Sequence, residues 1–332
     1  MVLVTGGTGF FGSWLICHLL ESGQQVRAIK RQTSSLKEFE FIANIFFKEN
    51  KEALSRLEWV GGDILDIPSL EEAMAGCEKV YHAAAVVSFN KRDHQMMRLT
   101  NVEGTANVAN LCLELRVQQL CYISSVAAFG RTGNDTPIDE KTPWENSRFN
   151  TEYSKTKHRA ELEVWRAIEE GLNAVILNPS IINGPGDWKK GTCRMYRNIK
   201  KGLPFYTHGG GGYVDVRDVC RAAIMLMDKQ VSGEQFLLSS QNVLYKDFFD
   251  KIAAGLQVKA PSIYVAPWLS RIGLPLEVLR SKLMKSDPIV TKELATTAHI
   301  VSRYSSAKII EQHGFQFTLL DESVRYTCYW YS

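Results

Sequence analysis

The sequence predicts an α/β protein: a doubly wound parallel sheet wrapped by helices, with a smaller, discontinuous C-terminal lobe beside it. Three observations carry that prediction. A short strand-like run at Val2–Thr5 passes through the glycine-rich turn "TGGTGFFG" into apolar residues at helical spacing. Strand-like and helix-like stretches then alternate as far as Asn178, the pattern of parallel strands joined by helical crossovers. Beyond Asn178 the alternation gives way to turn-rich segments such as "NPSIINGPGDWKKG", "LPFYTHGGGGY" and "LQVKAPSIYVAPW".

Taken in order, strands read at 2–5, 25–30, 57–61, 78–82, 118–124 and 173–177, and helices fill 10–22, 35–55, 68–76, 93–116 and 151–171. Six strands with helical crossovers imply a Rossmann arrangement, whose ligand crevice lies beyond the carboxyl ends of the strands where the strand order switches. The later passage "GYVDVRDVCRAAIMLMDK" reads as one further strand and helix returning to the same domain. The predicted division is therefore a dinucleotide-binding domain at 1–178, rejoined by 213–240, and a substrate-binding lobe made of 179–212 and 241–332.

Composition narrows the class. A chain of 332 residues, 45% apolar, can bury one large core with an attached lobe. The net charge of +3, without a Lys/Arg block, leaves no electrostatic footprint for nucleic acid or for a membrane surface. Seven scattered cysteines without C-x-x-C spacing argue against a disulfide or zinc framework and for a reducing compartment. The glycine turn begins at the sixth residue, where a signal peptide would lie, and no apolar run is long enough to span a bilayer. A cytoplasmic enzyme with a small-molecule substrate and no metal is expected.

The glycines mark a place for a phosphate. A helix N-terminus leaves backbone N–H groups unpaired and carries partial positive charge, and residues without Cβ let a pyrophosphate approach them. Gly7-x-Gly9-x-x-Gly12 fits the dinucleotide fingerprint and Gly6-x-x-Gly9-x-x-Gly12 a variant of it, with Phe10 and Phe11 opening the helix. At the end of the second strand, Lys30 and Arg31 suit a 2′-phosphate, where an acid would instead bind the ribose hydroxyls of NAD. NADP(H) is therefore the expected cofactor, with NAD(H) the alternative. Asp63 and Ile64 follow the third strand, where Asp63 can accept from an adenine amino group. Ala83, Ala84 and Ala85 follow the fourth and are small enough for backbone to lie against the cofactor.

The chemistry sits later. The fifth strand runs into "YISS", which places Ser124 and Ser125 at a carboxyl end, and "NTEYSKTKHRAELEVW" carries Tyr153 and Lys157 at i and i+4, on one helix face. A phenol with a pKa near 10 is a poor acid–base catalyst at neutral pH, and lowering it by roughly 3 units takes about 4 kcal/mol of preferential phenolate stabilisation. A fixed ammonium beside a cationic nicotinamide supplies such a field, while a serine hydroxyl can bond the substrate oxygen.

With these residues in place the sequence resembles the extended short-chain dehydrogenase/reductases, the NAD-dependent epimerase/dehydratase family. It is most similar to the dihydroflavonol reductase-like and 3β-hydroxysteroid dehydrogenase-like branch. The resemblance runs through "TGGTGFFG", "GDILD", "HAAA", "NVEGT", "YISS", "YSKTK", "NPSIINGP" and "YVDVRDV" and thins into "RYSSAKIIEQHGF". It implies a catalytic triad of Ser125, Tyr153 and Lys157 with Asn101 near the active site, and the backbone of Asn178, Pro179 and Ser180 beside the nicotinamide. Ser125 is preferred to Ser124 because it is the second serine of the pair. A homodimer through the helices near 93–116 and 151–171 is also implied.

One departure bears on the substrate. Nucleotide-sugar members of the family carry an arginine shortly before their "hxVxD" segment, and here the matching positions are Gly211 and Gly212. With Lys30 and Arg31, this turns the expectation toward a reductase or dehydrogenase acting on a carbonyl/secondary alcohol pair of a mostly apolar molecule. The alternative is a nucleotide-sugar epimerase or dehydratase using bound NAD. Trp188, Tyr196, Phe205, Tyr206 and Trp268 can line an apolar pocket or simply form core.

Overall fold

The computed structural model describes residues 1–49, 51–129, 136–147, 150–268 and 297–331. Residues 269–296 of the expected second lobe lie outside them. The main sheet has seven strands, all parallel: β1 (Val2–Thr5), β2 (Val26–Lys30), β3 (Leu57–Gly61), β4 (Lys79–His82), β5 (Gln119–Ile123), β6 (Ala174–Pro179) and a later strand, β10 (Glu234–Leu238). The order β10-β6-β5-β4-β1-β2-β3 places β1 beside both β2 and β4, so the strand order reverses at the carboxyl end of β1. A ligand crevice in an open parallel sheet forms at such a reversal.

The strand sequences follow from that topology. β1, β5 and β6 are buried at every residue, as expected of parallel strands covered on both faces, whereas the edge strand β3 is only partly covered. One face is covered by α1 (Phe10–Glu21), α2 (Lys37–Phe47) and α8 (Val216–Asp228), around Trp14, Leu15, Ile42, Val219 and Phe236. The other carries α3 (Ile67–Met74), α5 (Gly104–Glu114) and α6 (Glu152–Glu169), around Leu70, Val108, Ala160 and Val164. α1 is apolar on nearly all sides because it packs against the sheet, α2 and α8 together.

Three parts differ from the sequence expectation. The helix expected over 93–116 is interrupted: α4 (His94–Arg98) passes through a π-helical turn, Leu99–Glu103, before α5 begins. The stretch 35–55 divides into α2 and a short 3₁₀ turn, Glu52–Arg56. The "GYVDVRDV" passage also splits. Its helix, α8, packs on the main sheet, but β9 (Gly210–Asp215) joins a three-stranded sheet, parallel to β7 (Ile181–Asn183) and antiparallel to β11 (Gln241–Leu244). The strand that completes the main sheet is β10, parallel to β6, so seven strands stand where six were expected.

β9 can lie where it does because of its glycines: a Cβ on Gly212 would stand 2.2 Å from Ser239 Oγ, and one on Gly210 2.7 Å from the Val243 carbonyl oxygen. The second lobe has its own core, in which Tyr196 from α7 (Cys193–Lys200), Tyr213, Phe248 from α9 (Tyr245–Gly255) and Val324 from the terminal helix Leu320–Tyr331 are buried together. Two short parallel strands, β8 (Phe205–Tyr206) and β12 (Ile263–Tyr264), complete it. All seven cysteines are buried, and none forms a disulfide. No helix of the described residues is long and apolar enough to cross a membrane.

Candidate active site

The glycine turn is pressed against the loop after β4. Gly6 has φ +72°, and a Cβ there would lie 2.6 Å from the Ala84 nitrogen; one on Gly12 would lie 2.2 Å from the Gly6 carbonyl oxygen. Gly9 N–H donates to that same oxygen at 3.0 Å, and Ser13 Oγ closes the turn by donating to the Gly7 carbonyl at 2.9 Å. Gly9 caps α1 without a side-chain acceptor, and the first turn of α1 holds no acid. The α1 N-terminus, with Phe10, Phe11 and Gly12 in its first turn, therefore fits an anionic ligand group such as a pyrophosphate. The two phenylalanine rings themselves pack on the core, and a Cβ on Gly186 would meet Phe10 Cδ2 at 2.6 Å.

Around the turn stand the other predicted contacts. Lys30 ends β2 and Arg31 follows it, exposed; among the described residues neither side chain has an ion-pair or hydrogen-bond partner. Asp63 Oδ1 accepts from Leu65 N–H at 3.0 Å. Ile64 is buried against Gly104, and its carbonyl accepts from Asn107 Nδ2 at 2.9 Å. The Ala83 and Ala84 amides, each at 3.3 Å, donate to the Thr5 carbonyl and the Thr5 hydroxyl, which leaves Ala85 as the exposed member of the three. Pro179 ends β6. Ser180 N–H donates to the Leu238 carbonyl at 2.9 Å, and its buried hydroxyl has no partner among the described residues.

The titratable cluster forms where β5, β6 and α6 meet. Thr151 caps α6 by accepting from Ser154 N–H at 3.1 Å, which starts the helix one residue before Tyr153. One turn on, Lys157 is 1% exposed, and its Nζ donates to Tyr122 Oη at 2.7 Å and to the Ile123 carbonyl at 3.0 Å. Burial pushes the Lys157 pKa down to about 7, opposed by the Glu161 carboxyl. Burial also raises the Tyr153 phenol, and a hydrogen-bonding contact from Ser125 works against that rise. The two serines separate here: Ser125 faces Tyr153, whereas Ser124 is buried beside Tyr122 and Glu161.

Asn101 occupies the π-helical turn with its amide fully engaged. Oδ1 accepts from Val86 N–H at 2.7 Å, and Nδ2 donates to the Val86 carbonyl at 2.9 Å and to Thr156 Oγ1 at 3.0 Å. Thr156 in turn donates to the Tyr153 carbonyl at 2.8 Å. Asn101 thus pins the loop after β4 to the helix that carries Tyr153.

Several members of this cluster escaped the sequence reading. Tyr122 looks in sequence like one more apolar residue of a buried strand, yet its hydroxyl holds the lysine. His82 is fully buried, stacked on Tyr122 with ring centroids 5.4 Å apart. Thr105 donates to the Asn101 carbonyl, so it accepts from His82 Nε2, and His82 Nδ1 accepts from Thr5 Oγ1 at 2.6 Å. The ring is held neutral: burial, and then Lys157, push its pKa down to about 3. Glu161 was available in the sequence as the i+4 neighbour of Lys157 on the same helix face.

The chain is similar to known proteins over most of its length. The model of the NAD dependent epimerase/dehydratase family matches residues 2–239. Cinnamoyl-CoA reductase 1 of Petunia hybrida is 32% identical over 256 residues, covering 74% of each chain. The crystal structure of gox2253 superposes with a TM-score of 0.81 at 30% identity, covering 100% of this chain and 97% of that one. The dTDP-glucose 4,6-dehydratase DesIV of Streptomyces venezuelae shares the fold, with a TM-score of 0.78 at 20% identity over 99% of this chain and 96% of its own.

Proposed function

The chain belongs to the NAD dependent epimerase/dehydratase family and is an NAD(P)-binding oxidoreductase of it, and from that premise we propose that it is a reductase or dehydrogenase of the dihydroflavonol reductase-like branch. Its substrate in this reading is a carbonyl or secondary alcohol on a mostly apolar small molecule, and NADP(H) is the exchanged cofactor. The bound dinucleotide supplies hydride chemistry at its nicotinamide ring. Tyr153 delivers or accepts the proton at the substrate oxygen, Ser125 donates a hydrogen bond to that oxygen, and Lys157 holds positive charge one helical turn from Tyr153. Gly6, Gly9 and Gly12 admit the pyrophosphate, and Lys30 and Arg31 pair with a 2′-phosphate.

The observation that carries the substrate class is Gly211. A Cβ there meets only Ile181 Cδ1, at 3.7 Å, so the position has room for a side chain yet presents no cation to a nucleotide phosphate. The reductase name of the Petunia relative supports the same reading. The family's own description favours a second one, an epimerase or dehydratase that oxidises a nucleotide-sugar transiently with bound NAD.

Net cofactor turnover separates the two. Purified enzyme with NADPH and a panel of apolar ketones and aldehydes is expected to lose absorbance at 340 nm, and Tyr153→Phe to lose it no longer. Isomerised or dehydrated nucleotide-sugar formed without net cofactor consumption would establish the second reading instead.

A further inference from the structure

Glu161 is a carboxyl group buried inside the main domain, 5% exposed, one helical turn beyond Lys157. Elements far apart in the chain converge on it. Asn178 at the end of β6 donates through Nδ2 to Oε1, and Gln235 on β10 donates through Nε2 to Oε2 at 3.1 Å. The same Gln235 nitrogen reaches Asn178 Oδ1 at 2.9 Å, and Asn178 Nδ2 also reaches the Ser125 carbonyl at 3.0 Å. The buried Ser124 hydroxyl lies near the carboxyl and Tyr122 without a hydrogen-bond partner among the described residues. A carboxyl gripped only by donors is organised to bear charge, because each N–H bonds the ionised form better than the neutral acid.

The charges facing Lys157 are few. From β5 comes Tyr122, which stays protonated because burial lifts its phenol well above the ordinary value. From β4 comes His82, held neutral. On α6 itself stand Tyr153 and Glu161. Among the described residues facing Lys157, Glu161 is thus the one that can carry negative charge, its carboxyl lifted by burial to about 7. Among the described residues no direct ion pair joins it to Lys157, so the coupling acts through space rather than by contact.

We propose that Glu161 is a positioning residue for the proton-transfer step: its buried carboxylate, fixed by Asn178 and Gln235, balances Lys157 and keeps the lysine in its ammonium form. The proposal rests on the acid–base reading of Tyr153 and Lys157 given above. It adds that the charge state of the lysine depends on β10, a strand that follows it by more than seventy residues. Burial acts in the same sense on both partners, pushing the lysine down and the carboxyl up, and their mutual attraction opposes both shifts.

The test needs no substrate. In protein labelled at lysine Cε, the resonance missing from Lys157→Met reports the charge on Lys157. In Glu161→Gln its titration midpoint is expected to fall by about one unit or more, and in Glu161→Gln/Gln235→Glu, which moves the carboxylate across the same hydrogen bond to β10, to return toward the wild-type value. An unmoved midpoint in folded Glu161→Gln would overturn the proposal. Labelled glutamate Cδ in wild-type protein gives a reading independent of that variant's folding: the Glu161 carboxyl must be ionised at pH values where Lys157 is charged. A protonated Glu161 beside a charged Lys157 would also overturn it. Neither outcome touches the choice of substrate, so failure here and failure of the functional reading are distinguishable.

Discussion

Lys157 reaches across from α6 to Tyr122 on β5, its Nζ 2.7 Å from the phenol oxygen and 4.4 Å from the centre of the ring. The buried ammonium therefore has one acceptor and one π-face from a single side chain, a combination that favours the charged lysine in a place that otherwise disfavours it. Tyr122→Phe keeps the ring and removes the acceptor. Its loss is expected to lower the lysine midpoint and to reduce turnover about tenfold or more, with cofactor affinity little changed. Unchanged turnover at pH 8 would show that the carbonyl of Ile123 alone suffices.

The glycines of the turn are not equivalent. A Cβ on Gly12 would stand 2.2 Å from the Gly6 carbonyl oxygen, whereas one on Gly9 meets the same atom at 3.3 Å. Gly12→Ala is expected to cost on the order of 2 kcal/mol or more, because backbone must move, and Gly9→Ala clearly less. Urea unfolding of the two variants ranks them; equal midpoints would contradict the crowding argument.

Cofactor preference should be written at Arg31. A charge-assisted contact to a phosphate is worth about 1.5 to 3 kcal/mol, so Arg31→Ala is expected to weaken NADPH roughly ten- to a hundredfold and to leave NADH nearly unchanged. Fluorescence titration with both cofactors decides the matter. Equal weakening, or tighter NADH binding by the wild type, would remove Arg31 from the site.

Acid should destabilise the fold through His82. Its folded pKa, about 3, lies below the unfolded value near 6.5, so the unfolded chain binds the extra proton between those limits. Stability from this group is complete above pH 6.5 and is lost as pH falls toward 3, at roughly 1.4 kcal/mol per unit at most. His18, lowered to about 4 chiefly by burial, adds to the same slope. Unfolding midpoints measured from pH 7.5 to 5 should decline in wild type and decline less steeply in His82→Gln; parallel slopes would assign the acid lability elsewhere.

What the sequence disclosed followed from short-range signals. The glycine spacing, the alternation of strand and helix, and the i, i+4 relation of Tyr153 and Lys157 are all local, and each locates its element to within a few residues. The interruption at Leu99–Glu103 is not local: Asn101 bonds Val86 and Thr156, and neither partner is visible from the helix's own periodicity. The same holds for β9 and β10. "GYVD" reads as a strand, but which sheet it joins is decided by Ser239 and Val243 pressing on Gly212 and Gly210. Tyr122, His82 and Glu161 were hidden for a related reason, since their roles are set by residues brought near only when the sheet forms.

The place of β10 at the edge of the main sheet also has a consequence for synthesis. A nascent chain makes β6 and α6 first, and the Gln235 partner of Glu161 follows 74 residues later. At about 5 to 20 residues per second, the outer edge of β6 stays bare for several seconds, with a buried acid short of a donor beneath it. Chains stalled on the ribosome before Glu234 should then be open to proteolysis near α6, and chains long enough to expose Leu238 outside the ribosome should resist it. The last strand of the sheet is in this sense a lock on the proposed acid–base centre, closed only after the centre itself has been made.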